Sequence, residues 1–584
     1  MAAGAGNASR PGCRPYCQVD ALLSRNNQIM IGVVATESDH RIVSEFFELF
    51  KTPWEYLRSG LKYDVILCVG ASDFDRSAAK LILHYADCGL PIDAEEGFDV
   101  TVHQKNKVLS HARHSLVVYG THLTFRDVEN GKLVLKDVDE QWSYSRECNG
   151  ITEYRIGYDL FAEISTLLTV GQPREFAEAP TVELHIAILR DLIVESGIEL
   201  VEIPPVPEGY GCIACLTHDI DHPAIKNHKW DSTAFGFLYR ATAGSLANLL
   251  RGRLPIRGVL KNWIAALKLP LVYAGLAKDF WGGFEDRYRE CDMGFCSTYF
   301  VIPFRDYAGN DLNGAAPRRR AAGYAAKEIK DALEKIQTQG SEVALHGIDA
   351  WRDSESARKE LNEVRQFVPD VQVGVRMHWL FYSEKSPLAL EKAGASYDST
   401  IGYRDTVGFR TGTTQVYRPI EATRLLELPM HVMDTALFYP AYLGLSQRTA
   451  ESHVRALIAT VAEFGGCLTL NWHDRSLASE RNWDSCYRAL LDELRRRGAW
   501  FATAGQVTSW FQMRRSVVFE KSTLSSTDAC AKITAISAKE LPALRLRFHK
   551  LDRDAGRGGA VVRRYRDVPL VWRHEEAESR LEPA

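Results

Sequence analysis

From about residue 212 to residue 510 the chain repeats one pattern: a short apolar run, then a segment with helical spacing. The runs are CIACLT (212–217), STYFVI (297–302), EVALH (342–346), VQVGVRM (371–377), LLELP (425–429), CLTLNWH (467–473) and AWFATA (499–504). Each is four to eight residues long and rich in residues that favour strands. Between them, AAKEIKDALEKIQ places Ala325, Ile329, Leu333 and Ile336 on one helix face. SCYRALLDELRRRG does the same with Tyr487, Leu490, Leu491 and Leu494, and Gly498 is a stop signal. Seven or eight strand–helix units in about 300 residues predict a parallel β/α barrel.

Such barrels carry their chemistry at the C-terminal ends of the strands. Five of the runs end in chemistry-bearing residues. The first ends in Thr217-His218-Asp219-Ile220-Asp221-His222, and EVALH ends in His346. VQVGVRMHW carries Arg376 and His378, and LELPMHVMD carries His431 and Asp434. CLTLNWHDR ends in His473, Asp474 and Arg475. A single histidine at a strand end is more often a satisfied core or surface group, but five strands converging on one rim predict a site. Carboxylate and imidazole together suit a divalent metal such as zinc with a position open to water. A second carboxylate can then act as general base and a histidine across the site can protonate a leaving amine. Asp219 and Asp221 are two apart, so on a continuing strand they face the same way.

The rest of the 584-residue chain is expected to form further units. Residues 1–26 read as a flexible arm that includes Cys13 and Cys17. Residues 27–200 read as an α/β domain, with strands at 29–35, 64–70 and 114–120 and a closing helix at 180–197. Within it, FDRSAAKLILHYADCG (74–89) is expected to be helical, from the spacing of Ala78, Leu81, Ile82 and Tyr85. No GxGxxG follows these strands, so nothing there predicts a nucleotide site. EIPPVPEGYG (202–211) is the linker to the barrel at 211–511. Residues 224–290 are too long for a connection between neighbouring strands and read as a helical insert capping the barrel mouth, with a membrane-surface amphipathic helix as the alternative. Residues 516–577 read as a small β-rich, Arg-rich appendage, and the last ten residues as a frayed tail.

Composition narrows the function. A net charge of −4 provides no overall footprint for nucleic acid or for an anionic membrane. No run of about 18 apolar residues predicts a membrane span, and the N-terminus lacks the apolar core of a secretory signal, so a cytoplasmic location is expected. The pair Cys212 and Cys215 has no partner pair at zinc-ribbon spacing and is expected to be structural.

Over roughly residues 212–510 the motifs resemble the polysaccharide deacetylase family, the NodB-homology group of carbohydrate esterases. The resemblance implies a distorted β/α barrel that removes N- or O-acetyl groups from sugars with water held on a divalent metal. LTHDIDH resembles the first motif, which implies Asp219 as base and Asp221 as metal ligand. EVALHGIDAW resembles the second and implies His346 as ligand; GVRMHW resembles the third and implies that Arg376 orients the base. LTLNWHDR resembles the last motif and implies His473 as general acid, while 397–413 is similar to a stretch found in a bacterial subgroup. The second motif usually offers another histidine four residues on, where this chain has Ala350. The third ligand is then His222, His378 or Asp349. The expected substrate is an acetylated sugar, nucleotide- or lipid-linked, used in surface polysaccharide synthesis. Two rival readings are a decayed barrel that binds glycan or scaffolds an assembly, and a glycosyltransferase using Asp219-Ile220-Asp221 as a DxD.

Overall fold

The computed structural model describes residues 30–71, 73–104, 106–111, 114–126, 141–252, 254–368, 372–520, 532–534, 541–552 and 562–570. The expected N-terminal arm, with Cys13 and Cys17, and the C-terminal tail lie outside the described residues.

The strand Cys212–Ile220 is buried along its whole length and organises the larger sheet. It pairs in parallel with Cys467–Asn471 on one side; on the other, Ala499–Ala502 pairs with its first half and Thr298–Val301 with its second. Further parallel pairing adds Glu342–Gly347, Val375–Met377, Tyr397–Asp398 and Leu426–Glu427 beyond Thr298–Val301, and Val432–Met433 beyond Cys467–Asn471. The result is a nine-stranded, curled parallel half-barrel with helices in its crossovers. Closure into a full barrel is not seen: Leu426–Glu427 and Val432–Met433 stand at opposite edges, and no pairing among the described strands joins them. Both edge strands are only two residues long, too short to carry a ladder across.

Strand periodicity decides what each face receives. Cys212, Ala214, Leu216 and Ile220 pack into the larger core with Leu345, Trp472 and Leu490. Ile213 and Cys215 pack on the opposite face with Phe300, Ala344, Tyr397 and Trp510. The two cysteines therefore point to opposite sides of the sheet, and neither is in a disulfide. Local capping fixes where the crossover helices begin. Asp353 accepts from the amides of Glu355 and Ser356, Ser446 from that of Thr449, and Thr503 forms a capping box with Gln506.

A second sheet runs Trp54–Tyr56, Ile31–Val34, Tyr63–Val69, Ala79–Tyr85, Ile151–Ile156 and Ser143–Cys148, with only the last pair antiparallel. Here one expectation fails. The segment 74–89, read as helix, is a 3-10 turn followed by the strand Ala79–Tyr85. That strand lies between two others, and Leu81, Leu83 and Tyr85 enter one core while Ile82 enters another. A strand buried on both faces reads as a continuous apolar run, in which an accidental helical spacing is easily found.

Two more features frame the site. Residues between Ser232 and Cys291 form successive helices, including Ser232–Tyr239, Ser245–Leu250, Ile256–Tyr273 and Phe284–Cys291. The hairpin Arg545–Asp552 with Val562–Pro569 adds antiparallel strands to Leu200–Glu202.

Candidate active site

Strand register brings the candidate residues to one level. Asp219 lies opposite Phe300, Thr217 opposite Asn471, and His346 opposite Arg376. Asp219 shares its face with Thr217 and points into the half-barrel, whereas its neighbour His218 points the other way. His218 is fully buried between Tyr288 and Tyr299, bonded to the Trp472 carbonyl at 3.0 Å and to Asp292 at 3.2 Å. It is a packing residue and not part of the rim. His431 is also spent on the main chain, at Thr413 and Thr469.

Asp219 is held at both oxygens. Arg376 Nη1 donates to Oδ1 at 3.1 Å, and Asn471 Nδ2 donates to Oδ2 at 2.7 Å. Arg376 is itself locked, donating to Thr217 Oγ1, the Ser399 carbonyl and Ser399 Oγ, with its guanidinium over the Phe300 ring at 4.3 Å. Burial works against a charge on Asp219, yet His346, Arg376 and His473 outweigh it and hold the carboxyl below its ordinary range. Asn471 is a contributor that the sequence reading missed. Its only signal was an amide at the end of an otherwise apolar strand.

Asp221, His346 and His378 offer three ligand atoms that all lie within 4.8 Å of one another. Asp221 Oδ1 is 3.4 Å from His346 Nε2 and 3.2 Å from His378 Nδ1, and the two ring nitrogens are 3.1 Å apart. The other nitrogen of each ring faces a carbonyl: His346 Nδ1 donates to Arg376 O at 3.0 Å, and His378 Nε2 donates to Arg320 O at 3.0 Å. Those bonds fix the tautomers, so in the neutral rings both free lone pairs converge on the Asp221 oxygen. Asp221 Oδ1 is also a buried oxygen with no hydrogen-bond donor. Three electron-pair donors facing one point with no proton between them are what a divalent cation requires. Burial, with the Arg320 guanidinium nearby, keeps His378 below its ordinary value, and the imidazoles around Asp221 outweigh burial to hold it well below its own.

The third position in this group, which the sequence left open, goes to His378. His222 lines the same cavity, but its Nδ1 is bonded to His228 Nε2 at 3.0 Å, and it stands outside the three-donor group. His228 in turn binds Asp231, so His222 is tied to the loop that starts the helical segment. Asp349 is turned away to hold Tyr307 at 2.6 Å and Asn310 at 2.8 Å.

Across the cavity His473 Nδ1 bonds Asp434 Oδ1 at 2.7 Å, and its Nε2 lies 3.8 Å from Asp221 Oδ2. Asp434 is fully buried and also accepts from the His473 amide and from Ser476 Oγ. Burial disfavours the charged ring, but Asp434, Asp221 and Asp219 outweigh it and push the His473 pKa up to about 10. These groups open onto a cavity of about 410 Å³ that is also lined by the cations Arg319, Arg320, Arg475 and Arg481. Arg475 lies against Trp281 and Arg481 against Trp483. Arg481 Nη2 donates to the Tyr439 hydroxyl at 3.0 Å. Burial would raise that phenol, yet Arg481 and Arg475 pull it down to about 8.

No family model and no curated protein matches this chain. Solved structures similar to part of it include two "putative" deacetylases. One is the crystal structure of a "putative polysaccharide deacetylase" from Mycobacterium smegmatis, 19% identical, covering 53% of this chain and 95% of that one, with a TM-score of 0.33. The other is a "putative polysaccharide deacetylase involved in o-antigen biosynthesis" from Bordetella bronchiseptica, 13% identical, covering 52% of this chain and 90% of that one, with a TM-score of 0.21.

Proposed function

We propose that the chain is a metal-dependent hydrolase that removes an N- or O-acetyl group from a carbohydrate, with its chemistry in the half-barrel unit at 211–511. The observation that carries this reading is a single cavity lined by three things: the donor group of Asp221, His346 and His378, a carboxylate held by Arg376, and an imidazole held by Asp434. A divalent cation such as zinc at the three donors would polarise an acyl carbonyl and acidify water.

The chain's own residues do the rest. Asp219, ionised and fixed by Arg376 and Asn471, accepts the proton lost by water as it adds to the acyl carbon. His473, charged and oriented through Nδ1 by Asp434, donates its Nε2 proton to the leaving nitrogen or oxygen as the acyl bond breaks. The products are acetate and the free amine or hydroxyl. Arg475 and Arg481 form no ion pair with a described carboxylate, and they suit a substrate that carries a phosphate or carboxylate near the acetylated position. An acetylated sugar linked to a nucleotide or a lipid through phosphate has that character.

The test is acetate release from a panel of acetylated glycans, neutral and anionic, by metal-reconstituted protein with and without a chelator. Chelator-sensitive release that is absent in Asp219→Asn is the expected result. Release unaffected by both would remove the proposal.

A further inference from the structure

The helical segment between the first two strands of the half-barrel presents its apolar residues to solvent. Of the 24 large hydrophobic residues exposed among those described, 12 fall between residues 230 and 276. They are not scattered. On the 18-residue helix Ile256–Tyr273 they are Ile256, Leu260, Trp263, Ile264, Leu267 and Leu271. At about 100° per residue these six lie within an arc of about 100°, a continuous stripe along the helix. Leu267 is 79% exposed. Val259, Asn262, Leu269 and Val272 form the opposite, buried face, and Leu269 and Val272 pack with Phe237 and Trp281. The preceding helices repeat the pattern: Phe235, Tyr239, Leu246 and Leu250 are exposed at helical spacing, Leu250 by 81%. Trp230, 83% exposed, stands at their start. Isolated surface hydrophobes need no explanation, but aligned stripes on neighbouring helices do.

Charge identifies the partner. Between residues 232 and 278 the chain has seven cations, Arg240, Arg251, Arg253, Arg257, Lys261, Lys268 and Lys278, and no Asp or Glu, in a protein whose net charge is −4. By helical angle Arg257, Lys261 and Lys268 border one side of the apolar stripe, where long side chains can reach upward while the stripe is buried. Trp263 and Tyr239 are residue types suited to the boundary between headgroups and acyl chains. No described helix is long and apolar enough to cross a membrane, so the stripe fits a helix lying in the surface. A second copy of this chain fits less well, because a two-fold self-contact would set one set of cations against the other.

We propose that residues 230–276 dock the protein on an anionic lipid bilayer, with the two apolar stripes in the headgroup boundary and the cations on lipid phosphates. Ser232 and Thr233, in the first turn of the first helix, line the catalytic cavity, so docking sets the cavity mouth beside the bilayer. Resting on the deacetylase reading, this favours an acetylated glycan carried on a lipid. The docking itself stands apart from that reading.

The experiment is co-sedimentation of the full chain with phosphatidylcholine vesicles, with and without about 30% phosphatidylglycerol, at low and high salt. The expected result is binding to the anionic vesicles, weakened by salt and reduced at least about tenfold in Leu267→Glu/Leu271→Glu. These side chains are exposed, and circular dichroism of the variant confirms that the fold is kept. No binding to anionic vesicles, or equal binding by the variant, overturns the proposal. So does a vesicle-free dimer that the same substitutions dissociate, which would make a second copy the occupant. Activity on soluble acetylated glycans tests the catalytic reading separately, since these substitutions lie outside the catalytic groups.

Discussion

His346 Nε2 and His378 Nδ1 face each other at 3.1 Å, while the far nitrogen of each ring donates to a main-chain carbonyl. Two neutral imidazoles so arranged repel through their lone pairs unless a cation lies between them and Asp221. In the proposed deacetylase reading, His378, from the adjacent strand end, would serve where the second motif usually offers a histidine and this chain has Ala350.

This separates the candidate ligands experimentally. His346→Ala is expected to weaken divalent-metal binding by well over about tenfold. His222→Ala and Asp349→Ala are expected to leave metal affinity nearly unchanged, because their side chains serve His228 and the 307–310 loop. Calorimetric titration of the apo-protein and its variants checks the ranking, and a loss of metal in His222→Ala equal to that in His346→Ala would contradict it.

Asp219→Asn keeps the shape and loses the proton acceptor. Turnover is expected to fall by about 10²–10⁴, with metal content retained. Stopped-time acetate assays beside metal analysis read both. Full activity in the variant would assign the base elsewhere.

Asp434 touches no substrate in this account and acts only through His473. Asp434→Asn removes the main carboxylate that keeps the ring charged, so the NMR-detected pKa of His473 is expected to drop below that in the parent. The rate constant for turnover is expected to fall by about 10²-fold or more while KM changes little. An unshifted His473 titration would show that Asp434 has only a packing role.

Away from the cavity, Glu183 on the helix Thr181–Glu195 is buried and ties that helix to the segment at Thr413 and Thr414. Burial lifts its pKa to about 7 against the hydrogen bonds of Thr413 Oγ1 at 2.6 Å and the Thr414 amide at 3.0 Å. A carboxyl whose folded pKa is raised gives stability that is complete below its unfolded value of about 4.5 and is lost as pH rises through about 7. Glu183→Gln is therefore expected to gain stability relative to the parent between pH about 5 and about 8.5. Glu163 and Glu360, also pushed up to about 7 by burial, are common to both proteins and cancel in the difference. Urea unfolding at the two pH values measures it, and a pH-independent difference would contradict the assignment.

The parallel sheet was legible because its strands are short apolar runs followed by long periodic helices. Its rim was legible because five runs ended in groups that packing alone does not need. What could not be read had physical causes. His218 and Asp219 are neighbours in sequence, but alternation sends one into a tyrosine-lined core and the other into the cavity. Which of His222, His378 and Asp349 stands near Asp221 and His346 with a free donor depends on the loop partners that His222 and Asp349 already hold, and no spacing encodes that. The strand Ala79–Tyr85 reads as helix in the sequence because burial on both faces erases its period of two. Asn471 gave a weak signal, since one amide in an apolar strand usually satisfies only the main chain.

A metal centre with the His378 ring as its third donor is tested most directly by metal stoichiometry in the parent and in His378→Ala. One divalent ion per chain is expected in the parent after reconstitution, with a large loss in the variant. No bound ion in the parent, or the same occupancy and affinity in His378→Ala, would contradict it.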